Sequence, residues 1–105
     1  MATQYRQGDV LLVKVDPAGV EKTRLVPREG GRIILAYGEV TGHAHAIDAA
    51  LAELFEAGDR GLYLKIDAAC RLTHEEHAAI DLDKGLYRVV RQREYTGVDW
   101  RPVRD

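Results

Sequence analysis

The chain has 105 residues and 11.7 kDa, of which 46% are hydrophobic and 30% charged; this is the balance of one globular domain with a single core, and it excludes a disordered, collagen-like or two-domain protein. No run of about 18 apolar residues could cross a bilayer as a helix, and the first nine residues lack the apolar centre of a signal peptide, so the expectation is a single domain over residues 1–105, cytoplasmic and away from membranes. Lys and Arg number 15 against 17 Asp and Glu, a formal charge of −2, which gives no general basic field for nucleic acid.

In chain order, Val10–Val15 is a β-rich run stopped by Pro17-Ala18-Gly19 and reads as a strand buried on most of both faces. Arg24-Leu25-Val26 before Pro27 reads as a short edge strand, because proline cannot donate to a ladder and keeps its predecessor extended. Glu29-Gly30-Gly31 is a turn. Arg32–Val40 is a second β run, with Gly38 marking a bulge or a close backbone approach. Residues 48–57 admit two readings: a helix capped by Asp48, or Ala52–Glu56 as the first arm of a hairpin with Leu62–Ile66. The alternation of the second arm favours the hairpin. Thr73-His74-Glu75-Glu76 has the capping-box pattern and predicts one helical turn. After a turn at Gly85, Leu86–Tyr95 is a long strand, and Val98–Val103 a last edge strand. The fold class is therefore all-β and mainly antiparallel, a small barrel or sandwich with at most one short helix.

Charge is unevenly spread. His43–Asp83 contains nine acidic and three basic side chains, whereas Tyr87–Arg104 contains five arginines and two acids. Solvated faces account for most such patterns. The lone Cys70 rules out an internal disulfide and a Cys-rich zinc site, so any metal must be held by histidine and carboxylate.

The four histidines fall into two groups, His43-x-His45 and His74-x-x-His77. On a strand, positions i and i+2 share a face; on a helical turn, i and i+3 do. Each pair can thus aim two imidazoles at one point, and the two pairs could share a transition metal, zinc first, with Glu75 or Glu76 as an oxygen ligand or general base. The spacing is not that of a zinc metalloprotease. Along the last long strand, Tyr87, Val89, Arg91, Arg93 and Tyr95 share one face, where Arg91, Arg93 and Tyr95 could hold a phosphate and stack a base; an amphipathic strand paired with the acidic middle explains the same pattern.

Gly38-Glu39-Val40-Thr41-Gly42-His43-Ala44-His45 is similar to the first histidine motif of the cupin barrels. The resemblance implies a β-barrel with His43 and His45 as metal ligands. The Gly38–His43 spacer is one residue shorter than in that motif, and Asp48 stands where it has Glu. Residues 38–45 and the segment Thr73-His74-Glu75-Glu76-His77 also resemble small bacterial and phage-borne proteins of unknown function, which implies no activity.

Three functions follow as expectations. The first is a metal-binding β protein using His43, His45, His74 and His77, structural if all four bind and hydrolytic if one is displaced beside Glu75 or Glu76. The second is a metal-independent RNase or phosphodiesterase with histidine acid–base chemistry and Arg91 or Arg93 on the phosphorane. The third is a non-enzymatic binding or regulatory module of a phage or mobile element. The partners this chemistry admits are a small molecule or RNA, and a homo-oligomer is left open.

Overall fold

The computed structural model describes residues 4–37 and 43–91. They form ten strands and, among the described residues, no helix: β1 (Gln4–Gln7), β2 (Val10–Val15), β3 (Lys22–Leu25), β4 (Ile33–Tyr37), β5 (Ala44–Ile47), β6 (Ala52–Ala57), β7 (Leu62–Ile66), β8 (Cys70–Thr73), β9 (Ile80–Leu82) and β10 (Gly85–Arg91). They pair into a six-stranded sheet, β1-β2-β10-β7-β6-β3, and a four-stranded sheet, β4-β5-β8-β9, with every pairing antiparallel. Among the described residues the architecture is a sandwich of two sheets with separate edges rather than a closed barrel.

Side-chain alternation builds the core. Val10 and Leu12 of β2, Leu54 of β6, Leu64 and Ile66 of β7, and Tyr87 and Val89 of β10 face Ile33 and Leu35 of β4, Ile47 of β5, Leu72 of β8 and Leu82 of β9. The other residues of the larger sheet's central strands point outward, where Phe55, Ala57, Tyr63 and Leu86 make a second buried cluster with Val15 and Val20. The apolar runs of β2, β7 and β10 are thus explained by burial on both faces.

The hairpin reading of residues 52–66 holds, with Ala52 opposite Ile66 and Glu56 opposite Leu62. A helix would have scattered Ala52, Leu54, Phe55 and Ala57 around its circumference; the strand gives two of them to each cluster. The turn is fastened by Asp59, whose carboxylate accepts hydrogen bonds from the Gly61 N–H at 2.8 Å and the Tyr63 hydroxyl at 2.7 Å. β3 is the expected edge strand, shifted toward Lys22 and exposed throughout.

Other expectations are corrected. The capping box at Thr73 makes no helical turn: Thr73 ends β8, pairs with Ala46 of β5 and gives its hydroxyl to the Ala46 carbonyl, so the group that would cap a helix is committed to the sheet. Residues 75–77 are a bend. Ile80–Leu82, for which no strand was expected, is β9 against β8. β4 carries an irregularity between Ile34 and Ala36; Gly38, where a bulge or close approach was expected, lies outside the described residues, as do positions 92–95 of the long strand and the expected edge strand at 98–103.

Two predictions follow. Leu64→Ala, at a fully buried site, lowers unfolding free energy in urea by about 2–5 kcal/mol, whereas the exposed Leu25→Ala changes it by less than about 0.5. The Tyr63 hydroxyl and then the Gly61 N–H hold the Asp59 carboxyl below its ordinary range, so in acid the unfolded chain takes up this proton first. That contribution to stability is present above about pH 4 and is lost as pH falls through and below it. Asp59→Asn is expected to lower the melting temperature at pH 7 and flatten its fall toward acid.

Candidate metal centre

The register of β5 against β8 brings the two histidine groups together. Ala46 lies opposite Thr73 and Ile47 opposite Leu72; continuing this antiparallel ladder by one step sets His45 against His74. His43 immediately precedes β5, and His77 lies in the bend between β8 and β9. The His45 and His74 ring centres are 4.3 Å apart, His74 and His77 4.6 Å, and His45 and His77 5.8 Å. His43 joins at one corner, 6.0 Å from His74. The shared face expected of a helical turn for His74 and His77 is supplied instead by the bend.

His45 is the buried member, 3% exposed. Its Nδ1 lies 2.8 Å from Oε1 of Gln7, whose Nε2 donates to the carbonyls of Leu72 at 3.1 Å and Ala78 at 3.0 Å. Two carbonyl acceptors fix which end of the amide is nitrogen, so Oε1 must accept from the ring. A proton is thereby assigned to Nδ1 of His45; in the neutral ring the lone pair is then on Nε2. His74 is held differently: its Nδ1 accepts the Glu76 N–H at 2.9 Å.

Glu75 and Glu76 have distinct surroundings. Oε1 of Glu75 accepts the Ala44 N–H at 2.9 Å, tying the bend to the start of β5. That bond, the residue's own N–H and the neighbouring His43 and His74 hold its carboxyl below the ordinary range. Oε2 of Glu76 lies 3.2 Å from Nδ1 of His43. The approach is not a hydrogen bond: among the described residues the buried His43 Nδ1 has no partner in hydrogen-bonding geometry. Glu75 is therefore a brace, and Glu76 the carboxylate beside an imidazole.

Gly8, in the turn between β1 and β2, closes the site from below. Its φ is +56°, and a Cβ there would stand 2.7 Å from Nε2 of His77 and 3.2 Å from Cε1 of His45. Gln7 and Gly8 were not visible as site residues, because nothing in local spacing connects them to histidines far along the chain; the only cue was a glycine between a polar segment and the first apolar run.

Beyond His45 the sheets part into a cleft of about 610 Å³, walled in part by Asp9, Leu35, Val89 and Arg91. Arg91, a predicted anion ligand, donates from Nε to the Leu35 carbonyl at 2.7 Å. Its companions Arg93 and Tyr95 lie outside the described residues. Cys70 is a half-buried free thiol, pushed up in pKa by burial.

Among the described residues, no three His, Cys, Asp or Glu donors stand in metal-holding geometry. The Glu76 N–H on His74 Nδ1 is one reason: the lone pair of that nitrogen is already committed to a backbone donor.

Residues 6–92 match the family described as Domain of unknown function (DUF8820). The chain belongs to this family. The matched span contains all four histidines, Gln7 and Gly8. No curated protein and no solved structure matches the chain.

Gln7→Leu removes three hydrogen bonds at a buried position and is expected to destabilise the fold by about 1–3 kcal/mol, because the Leu72 and Ala78 carbonyls lose their donor. It also frees the His45 tautomer. Long-range ¹H–¹⁵N spectra should show Nδ1 protonated in the parent protein and a mixture of tautomers in the variant.

Proposed function

We propose that this protein binds a transition-metal ion, zinc first, with His45, His74 and His77 as the core of the site and His43 as a fourth ligand. One observation carries the reading: the buried His45 donates Nδ1–H to Gln7, as metal-bound histidines donate their second nitrogen to a fixed acceptor, and so carries its lone pair on Nε2 amid other imidazoles. Imidazoles sharing one tetrahedral ion, with metal–nitrogen distances of about 2.0–2.1 Å, have ring centres about 5 Å apart. The 4.3–5.8 Å separations of His45, His74 and His77 bracket that value. Binding requires His74 to exchange the Glu76 N–H for the ion or to turn its ring. With all four histidines the site is closed and structural; with His43 left beside Glu76 a coordination position is open, and the ion supplies Lewis-acid chemistry next to a carboxylate.

A second reading has its own support. His74 as it stands, with Nδ1 accepting a backbone N–H, is set for proton transfer rather than ligation, and the adjoining cleft holds Arg91. This favours a metal-independent phosphodiesterase or RNase with histidine acid–base catalysis.

The test is metal analysis of the purified protein, followed by zinc titration with thermal melts. One zinc per chain is expected, with a melting temperature that rises on loading and falls on chelation, since ligands absent from the unfolded chain turn binding energy into folding energy. His45→Ala and His77→Ala should lose the metal. Protein that neither retains nor takes up a divalent ion would overturn the site. RNA cleavage in chelator, lost in His43→Ala or His77→Ala, would then establish the nuclease; absence of both would leave the non-enzymatic binding or regulatory module of a phage or mobile element.

A further inference from the structure

The two sheets are unequal, four strands against six, and the difference falls beside β4. On the opposite side they are flush: Gln7 of β1 donates to the Ala78 carbonyl before β9, and the Asp83 N–H after β9 donates to the Tyr5 hydroxyl of β1 at 3.3 Å. β4 ends its sheet and, among the described residues, pairs with β5 alone.

Four consecutive residues of β4, Ile34 to Tyr37, line the cleft of about 610 Å³. Side chains on one face would supply only every second residue, so the cleft runs along the strand's main-chain edge. Across it, Arg91 gives its Nε–H to the Leu35 carbonyl at 2.7 Å, a side-chain donor where a neighbouring strand would supply an N–H. The facing wall is the inner surface of the larger sheet, with Leu54, Leu62 and Val89. A four-residue strand measures about 13 Å in length, about 4.8 Å to its neighbour and about 10 Å between sheets, which encloses roughly 600 Å³. The cleft has the size and position of one absent strand.

Arg60 lines the same cleft from the β6–β7 turn. It is the one non-glycine residue with positive φ among those described, +66°, where glycine would fit without strain. Arg24 is neutralised by a two-point pair with Glu56; among the described residues Arg60 has no ion-pair or side-chain hydrogen-bond partner. The cleft therefore combines a strand edge, an apolar wall and one uncompensated guanidinium.

We propose that the cleft binds an extended peptide of a partner protein by strand addition to β4, with alternate apolar side chains against Leu54, Leu62 and Val89 and an acidic residue beside Arg60. The inference does not rest on metal binding.

The test is a ¹H–¹⁵N NMR titration of the full chain with the peptide acetyl-Asp-Val-Thr-Val-Thr-Val-Asp-amide. Saturable shifts are expected at the amides of Ile34 to Tyr37. Successive N–H groups of a strand face opposite edges, so of two peptides N-methylated at the valines or at the threonines, one is expected to bind at least about tenfold more weakly than the other. Arg60→Gly is expected to raise the melting temperature by relieving the backbone while weakening the peptide severalfold. Arg60→Glu should prefer the same peptide with Lys at both ends. Shifts that do not saturate, both N-methylated peptides binding like the parent, or undiminished binding by Arg60→Gly would overturn the proposal. So would cross-strand contacts, in the peptide-free protein, from the amides of β4 to residues 92–105 or to a second copy, which would give the edge to the chain itself.

Discussion

The side chain on which both fold and site depend is the amide of Gln7. It is 3% exposed at the end of β1, and a buried amide is tolerated only if its donors and acceptor find partners. It finds them in the other sheet: both donors go to carbonyls that flank the histidine bend, at Leu72 and Ala78, and the oxygen goes to His45. One residue thus clips an edge of the six-stranded sheet to β8, to the bend that follows β8, and to β5. The cost of leaving any of these groups unpaired makes the relative placement of the two sheets specific in a way that apolar contact alone, being non-directional, does not.

How much of this could be read in advance depended on whether the signal was local. β2, the β6–β7 hairpin and the described part of β10 were legible because period-two alternation and turn residues lie within a few positions of one another. β1 was not: Gln4–Gln7 is short and polar, and it is a strand because β2 offers it a partner. The capping box at Thr73 was a genuine local pattern overruled by a distant one, the ladder to Ala46. The histidines show the same division. Their grouping was visible in the sequence, but their meeting follows from the β5–β8 register, and the roles of Gln7 and Gly8 follow from a turn more than thirty residues away from His45. Arg91 was found against the cleft, held by a backbone carbonyl that no spacing rule names.

The larger sheet is unusual for an antiparallel one in burying apolar side chains on both faces. On the outer face, where among the described residues no second sheet packs, the cluster is finished by aromatic and cationic contacts. Phe55 and Tyr63 stack with ring centres 5.8 Å apart, Lys22 lies over the first and Arg88 over the second. Arg88 also approaches Asp59 at 3.5 Å, joining the hairpin turn to the central strand. Long cationic stems here cover the exposed rings, shielding carbon while keeping their charges in water.

The position of β10 has a consequence for how the molecule is made. It lies between β2 and β7 and is registered along β2 from Val15 to Val10, although these two strands are about as far apart in sequence as the described chain allows. During synthesis the β6–β7 hairpin can close by itself, and so can β1 with β2. These halves cannot be joined until the last described strand has been made, so until then β2 and β7 each present an unpaired apolar edge. Closure of so large a loop is entropically slow, and interrupted synthesis would release chains with two sticky edges. Of the described strands, the last to leave the ribosome is the central one that turns two partial sheets into one.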